Sequence, residues 1–338
     1  MAMRKRERFL QALASQPVDR PAVFSACQHA TYEQMEKLGV YWPEAHRNGK
    51  AMATLAEGGH TILGLDAVRV PYCQTFEVEA LGGTIKDAGR EGIPSVATHP
   101  YQLGEEPVFP EDFLSQGRIP QLLEAVRILK ETVGEEVAVI GGIVGPYTVA
   151  VNLVGVPEMM KASFKRPDTV VPFLDLAEKA GTTLAKALID AGADVICVED
   201  MMASIDMLPP KIYRELAAPY EKKQFSQISV PTIIHICGRL DKVIADLAQT
   251  GCTAISVETS VNIAEAREKI AQAGLQVPLI GGVDPVRHLW NGTPVTVHEA
   301  VGKAVSDGIS LISPGCAVAP STPTENLSAM VQAAERSI

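Results

Sequence analysis

The sequence lacks an excess of positive charge: 30 Lys and Arg stand against 40 Asp and Glu, a formal net charge of −10. Such a surface repels phosphate backbones and anionic bilayers, so neither nucleic acid nor a membrane is an expected partner. Cysteine is too sparse for a disulfide framework. The six present (Cys27, Cys73, Cys197, Cys237, Cys252 and Cys316) are scattered without clustered spacing, as expected of thiols in a reducing cytoplasm. No apolar segment of signal-peptide length follows the basic start Met3-Arg4-Lys5-Arg6, because Gln11 and Gln16 interrupt it, and no export signal is expected. One uncharged stretch, 137–157, has the length of a membrane span but carries Gly141, Gly142, Gly145, Pro146, Asn152 and Pro157, and it reads as a buried strand and loop. No Ser/Gly linker divides the chain, so one domain over 1–338 is expected.

What is present has the balance of a globular enzyme, with 46% apolar and 21% charged residues. Short β-rich runs occupy 22–25, 67–70, 137–141, 194–199, 232–236, 254–258, 278–281 and 310–313. Helical patterns cover 4–15, 116–133, 168–191, 209–228, 239–250, 262–274, 295–306 and 323–336, the last with Thr322, Pro323 and Glu325 spelling a capping box. Strands apolar on both faces and separated by helices indicate a parallel sheet with right-handed crossovers. Eight of them predict a closed (β/α)8 barrel with an N-terminal helical extension; a doubly wound sheet is the alternative. Internal likeness supports the repeat, since 191–199 and 250–258 share a glycine at a helix end and then Ile, Val and Glu at matching offsets. Ile140-Gly141-Gly142 and Ile280-Gly281-Gly282 each close a strand before a proline, Pro146 and Pro285.

The chemistry is concentrated at three predicted strand ends. In Ile233-Ile234-His235-Ile236-Cys237-Gly238, His235 and Cys237 are two apart and project to one side of the fifth strand. Ser313-Pro314-Gly315-Cys316 ends the eighth strand with another thiol, and Ser256-Val257-Glu258 ends the sixth with a carboxylate. Barrel sites form at the carboxyl ends of the strands. An imidazole, two thiolates and an oxygen donor suit a tetrahedral, borderline-soft ion, zinc first, whereas magnesium or calcium would take oxygens. The bland alternative is two small buried cysteines and a satisfied histidine.

The string His235-Ile236-Cys237-Gly238, followed by the segment 314–326 (Pro-Gly-Cys-Ala-Val-Ala-Pro-Ser-Thr-Pro-Thr-Glu-Asn), resembles the zinc motif of the methylcobamide:coenzyme M methyltransferases of the uroporphyrinogen decarboxylase superfamily. The likeness extends to Trp42-Pro43-Glu44-Ala45-His46, to Val68-Arg69-Val70-Pro71-Tyr72-Cys73 and to Gly141-Gly142-Ile143-Val144-Gly145-Pro146, and so covers nearly the whole chain. The resemblance implies a barrel whose zinc activates a thiol, coenzyme M, to take a methyl group from a methyl-Co(III) corrinoid, methylcobalamin or its protein-bound form on a separate corrinoid protein. It implies His235, Cys237 and Cys316 as zinc ligands, with Glu258 as the catalytic, displaceable fourth.

Gln28 and Tyr72, at the predicted mouth, could contact the corrinoid or the thiol; satisfying loop backbone is the plainer role. Arg69 and Arg239 could neutralise a sulfonate or be tied in ion pairs. Glu199 and Asp200 end the fourth strand and could act or merely cap the rim. His288 reads as structural, and Cys27, Cys73, Cys197 and Cys252 as small buried hydrophobes. Two further readings stay open. A porphyrinogen decarboxylase shares the superfamily, but its arginine-rich stretch after the first strand is replaced here by Phe24-Ser25-Ala26-Cys27-Gln28-His29, and its aspartate after the second by Val70-Pro71-Tyr72. A non-enzymatic corrinoid- or partner-binding protein with structural zinc is the other.

Overall fold

Strands that are apolar on both faces need cover inside and out, and here the sheet supplies the inner cover by closing on itself. The computed structural model describes residues 3–336, so positions 1, 2, 337 and 338 of the expected domain lie outside the described residues. The barrel strands are β1 (Ala22–Val23), β2 (Ala67–Val70), β3 (Ala138–Val144), β4 (Val195–Glu199), β5 (Thr232–His235), β6 (Ala254–Ser256), β7 (Leu279–Val283) and β8 (Leu311–Pro314). All pair in parallel, in the order β1-β8-β7-β6-β5-β4-β3-β2. The remaining seam, between β1 and β2, is bridged by one residue. Asp66 donates its backbone N–H to Val23 O at 2.7 Å, and its carboxylate accepts the Val23 N–H at 2.7 Å. The doubly wound alternative is thereby excluded.

The N-terminal helix Lys5–Leu13 plugs the bottom of this ring. Its buried Phe9, Ala12 and Leu13 form one apolar cluster with the inward residues Ala67, Ile140, Cys197, Ile233 and Ala254. Side chains alternate along a strand, so residues two further on also face inward but one layer higher. These are Arg69, Gly142, Glu199, His235 and Ser256. The barrel therefore has an apolar floor and a polar mouth, which is where the site lies.

Several expected boundaries change. β3 continues through Gly141-Gly142 to Val144 rather than ending at the glycine pair, because the missing side chain of Gly142 makes room for Arg69: a Cβ there would lie 2.5 Å from the guanidinium. The capping box at 322–325 does not form. The last helix is Thr324–Glu335, its N-cap is Pro323, and Thr324 N–H is met instead by Glu33 of a distant helix at 3.2 Å. Helix 209–228 is interrupted by a π turn at Tyr213–Ala217, and a second π segment, Pro285–Trp290, follows β7. Helices Tyr32–Leu38, Gly49–Thr61, Phe76–Ala80, Pro146–Val154 and Val156–Lys165, and the hairpin Thr84–Lys86/Ser95–Thr98, were not expected. No described helix is long and apolar enough to cross a membrane.

Candidate metal centre

β5 ends at His235, whose side chain continues the inward row of Ile233 and is fully buried. Two residues on, Cys237 stands on a turn that only glycine accommodates. Gly238 has φ 80°, and a Cβ there would lie 2.4 Å from an Asp206 carboxylate oxygen. From the other side, Gly315 allows the loop after β8 to press against the one after β6, where a Cβ would sit 3.3 Å from Glu258 Cα. That approach carries Cys316 to the same place. Cys237 Sγ and Cys316 Sγ are 3.2 Å apart, and His235 Nε2 is 3.1 Å from Cys237 Sγ. The ligating atoms of the three residues all lie within 4.8 Å of one another, the only such convergence of three or more His, Cys, Asp or Glu groups among the described residues. The donor set fits zinc: two half-buried soft sulfurs and a buried imidazole nitrogen at the barrel mouth.

Electrostatically the three act as one unit. The Cys316 thiol is pulled far below its ordinary range because Cys237 and Cys27 donate hydrogen bonds to it, while Cys237, which keeps its proton against Cys316, is raised. Burial opposes the charged form of His235, but the hydrogen bond and charge of Cys316 prevail and its pKa is raised. A cation at this point would meet two sulfurs already drawn together by a hydrogen bond.

The other expected residues divide. Glu258 is half-buried on the loop after β6 and lies outside the three-residue convergence; its charge still acts on His235 and Cys237, and it borders a cavity of about 740 Å³ that runs between the helices Ile263–Gln272 and Pro294–Ser306. Gln28 is buried. Its amide is consumed by the backbone, donating to Val318 O at 2.7 Å and accepting from Ala30 N, and so it ties the loop after β1 to the loop of Cys316. Tyr72 is likewise buried, with its hydroxyl donating to Met52 O at 2.8 Å. Arg69 is buried and paired with Glu199, whose second oxygen accepts from Gln74, whereas Arg239 is exposed and gives its Nε to Asp206. Asp200 caps the helix Pro146–Val154 by accepting from Tyr147 N and Thr148 N at 3.1 and 2.7 Å, and burial pushes its pKa up to about 6. His288 is structural, its Nδ1 accepting from Asp284 N at 3.2 Å.

Two residues of the site were not singled out from sequence. Cys27 is buried as expected, but its thiol meets Cys316, and that hydrogen bond together with burial raises its pKa. Ser256, also buried, stands 3.0 Å from His235 Nδ1. The signal for Ser256 was available: it is the inward residue of β6 two positions before Glu258.

The family model for uroporphyrinogen decarboxylase (URO-D) matches residues 4–337. The chain belongs to the uroporphyrinogen decarboxylase family. Within that family it stands beside the methylcobamide:CoM methyltransferases, and it is a methyltransferase. It is 39% identical over 334 residues to methylcobamide:CoM methyltransferase MtbA of Methanosarcina acetivorans, covering 98% of this chain and 97% of that one. To methylcobamide:CoM methyltransferase MtaA of Methanosarcina barkeri it is 38% identical over 328 residues, 96% of each chain. A solved methyltransferase structure from Methanosarcina mazei superposes with a TM-score of 0.95 at 38% identity, over 99% of both chains.

Proposed function

We propose that this member of the uroporphyrinogen decarboxylase family moves a methyl group from a methyl-Co(III) corrinoid to the thiol of coenzyme M, with zinc held by His235, Cys237 and Cys316 and with Glu258 as a displaceable fourth ligand. The observation that carries the reading is the meeting of those three side chains, from β5 and from a loop 79 residues further on, at one half-buried point of the barrel mouth. Bound there, zinc would supply a thiolate at neutral pH, where a free thiol with a pKa near 8.5 stays mostly protonated. The two cysteine thiolates and the neutral imidazole offset a divalent charge. With Glu258 holding the fourth position, a substrate thiolate taking its place would leave the local charge unchanged and bury no new net charge.

The reaction balances as thiol plus methyl-Co(III) giving thioether, Co(I) and a proton. The sulfur lone pair forms the S–C bond, and the electrons of the Co–C bond remain on cobalt. What the chain contributes is position: the mouth holds the acceptor where a methyl group presented from outside can meet it in line. A separate corrinoid protein is the proposed donor, with free methylcobalamin as its stand-in. The likeness to methylcobamide:CoM methyltransferases and the three-residue convergence both favour this reading over a closed, purely structural zinc site, which takes four fixed protein ligands. The decarboxylase alternative finds no arginine in the loop 24–29 to hold a polycarboxylate.

Purified protein given zinc, methylcobalamin and 2-mercaptoethanesulfonate is expected to convert the methyl-Co(III) spectrum to that of Co(I). Cys237→Ala is expected to lose zinc and turnover while its circular dichroism stays that of the parent. An unchanged spectrum, with zinc bound and a methylated corrinoid protein also supplied, would refute the assignment.

A further inference from the structure

An imidazole binds a metal through a nitrogen that carries no proton, so the proton must be held on the other ring nitrogen. In His235 that other nitrogen is Nδ1, and the atom facing it is Ser256 Oγ at 3.0 Å, while Nε2 faces Cys237 Sγ at 3.1 Å. The register explains the pairing. β5 and β6 place His235 directly opposite Ser256, and β4 and β5 place it opposite Glu199 on the other flank. Glu199 is not available to the ring, because Arg69 and Gln74 occupy its two oxygens.

His235 and Ser256 both have no solvent exposure, so an unpaired ring nitrogen here has no water to replace its lost partner. Without metal, a neutral ring pointing Nε2–H at Cys237 leaves Nδ1 as an acceptor that needs a donor. With metal on Nε2, the proton sits on Nδ1 and needs an acceptor. A hydroxyl serves as either, whereas a carbonyl or carboxylate only accepts. A carboxylate in this place would also add a negative charge.

We propose that Ser256 is a positioning residue that lets His235 change tautomer on metal binding, turning its hydroxyl from donor to acceptor so that no buried ring nitrogen is left unpaired. This rests on the metal reading above, but its test does not depend on methyl transfer. The full chain, labelled with ¹⁵N-histidine and held at a pH that keeps the ring neutral, is compared metal-free and zinc-loaded by NMR. His235 is expected to carry its proton on Nε2 without zinc and on Nδ1 with it. In parallel, Ser256→Ala is expected to weaken zinc binding, measured against a chelator, by about 10–100-fold, and Ser256→Thr, which keeps the hydroxyl, to restore most of it. A proton on Nδ1 in both states overturns the proposal, as does a Ser256→Ala protein whose zinc affinity stays within about twofold of the parent. Should Ser256→Ala fail to fold, the NMR comparison on the parent decides alone. A parent chain that binds no zinc overturns the metal assignment itself.

Discussion

Glu77 shows what a single residue contributes at the level of the site, since its partner Val144 lies in register with Glu199, and Glu199 with His235. It is 2% exposed, it accepts the Val144 N–H at 2.7 Å, and burial pushes its pKa up to about 7 from an ordinary 4.5. Between those two values the folded protein keeps a proton that the unfolded chain has lost, so Glu77 makes stability fall as pH rises through that window. Glu77→Gln, neutral at every pH and still able to accept from Val144, removes the slope. Urea unfolding is expected to show the variant more stable than the parent by about 2–3 kcal/mol at pH 8, with the gain gone near pH 4. An equal gain at both pH values would contradict the assignment. At this scale the sequence was unevenly legible. The pair His235 and Cys237 could be read because two-residue spacing on a strand has one geometric meaning. The backbone partners of Gln28 and Tyr72 could not, because Val318 and Met52 lie far away in sequence.

At the scale of elements, the eight strands were legible because parallel strands buried on both faces form apolar runs that no helix periodicity disguises. The glycines at helix ends were legible for a related reason: Gly192 and Gly251 take φ 115° and 91°, the left-handed turns that return the chain to the barrel. The missed elements are those whose ends are fixed from elsewhere. The helix Pro146–Val154 starts where Asp200, more than fifty residues on, accepts its first N–H groups, and no local pattern announces that. By contrast Thr31 and Gln34 form a capping box for Tyr32–Leu38, a start signal that is local to the sequence. The seam between β1 and β2 is the element with the sharpest consequence. Asp66, fully buried, receives Arg8 at 2.8 Å, Arg20 at 2.8 Å and the Val23 N–H. Asp66→Ala would leave two buried guanidinium groups without this partner and keep only the backbone bond to Val23 O across the seam, at a cost of about 3–5 kcal/mol. A lowered urea midpoint is expected, and an unchanged one would show that the seam does not depend on this carboxylate.

Across the whole molecule, closure converts sequence distance into contact. Cys316 meets Cys237 because β8 returns to β1 and the loops after β1, β6 and β8 are pressed together through Gln28, Gly315 and Glu258. The strand ends could be read separately; that they share one point follows only from the ring. The consequence proposed here is an ion held by His235, Cys237 and Cys316 with a position left for an incoming sulfur. Zinc K-edge X-ray absorption on the zinc-loaded chain, recorded without and with 2-mercaptoethanesulfonate, tests this directly. The account predicts two sulfur ligands, Cys237 and Cys316, rising to three as an oxygen or nitrogen ligand is lost. A sulfur count that does not change on adding the thiol would contradict it.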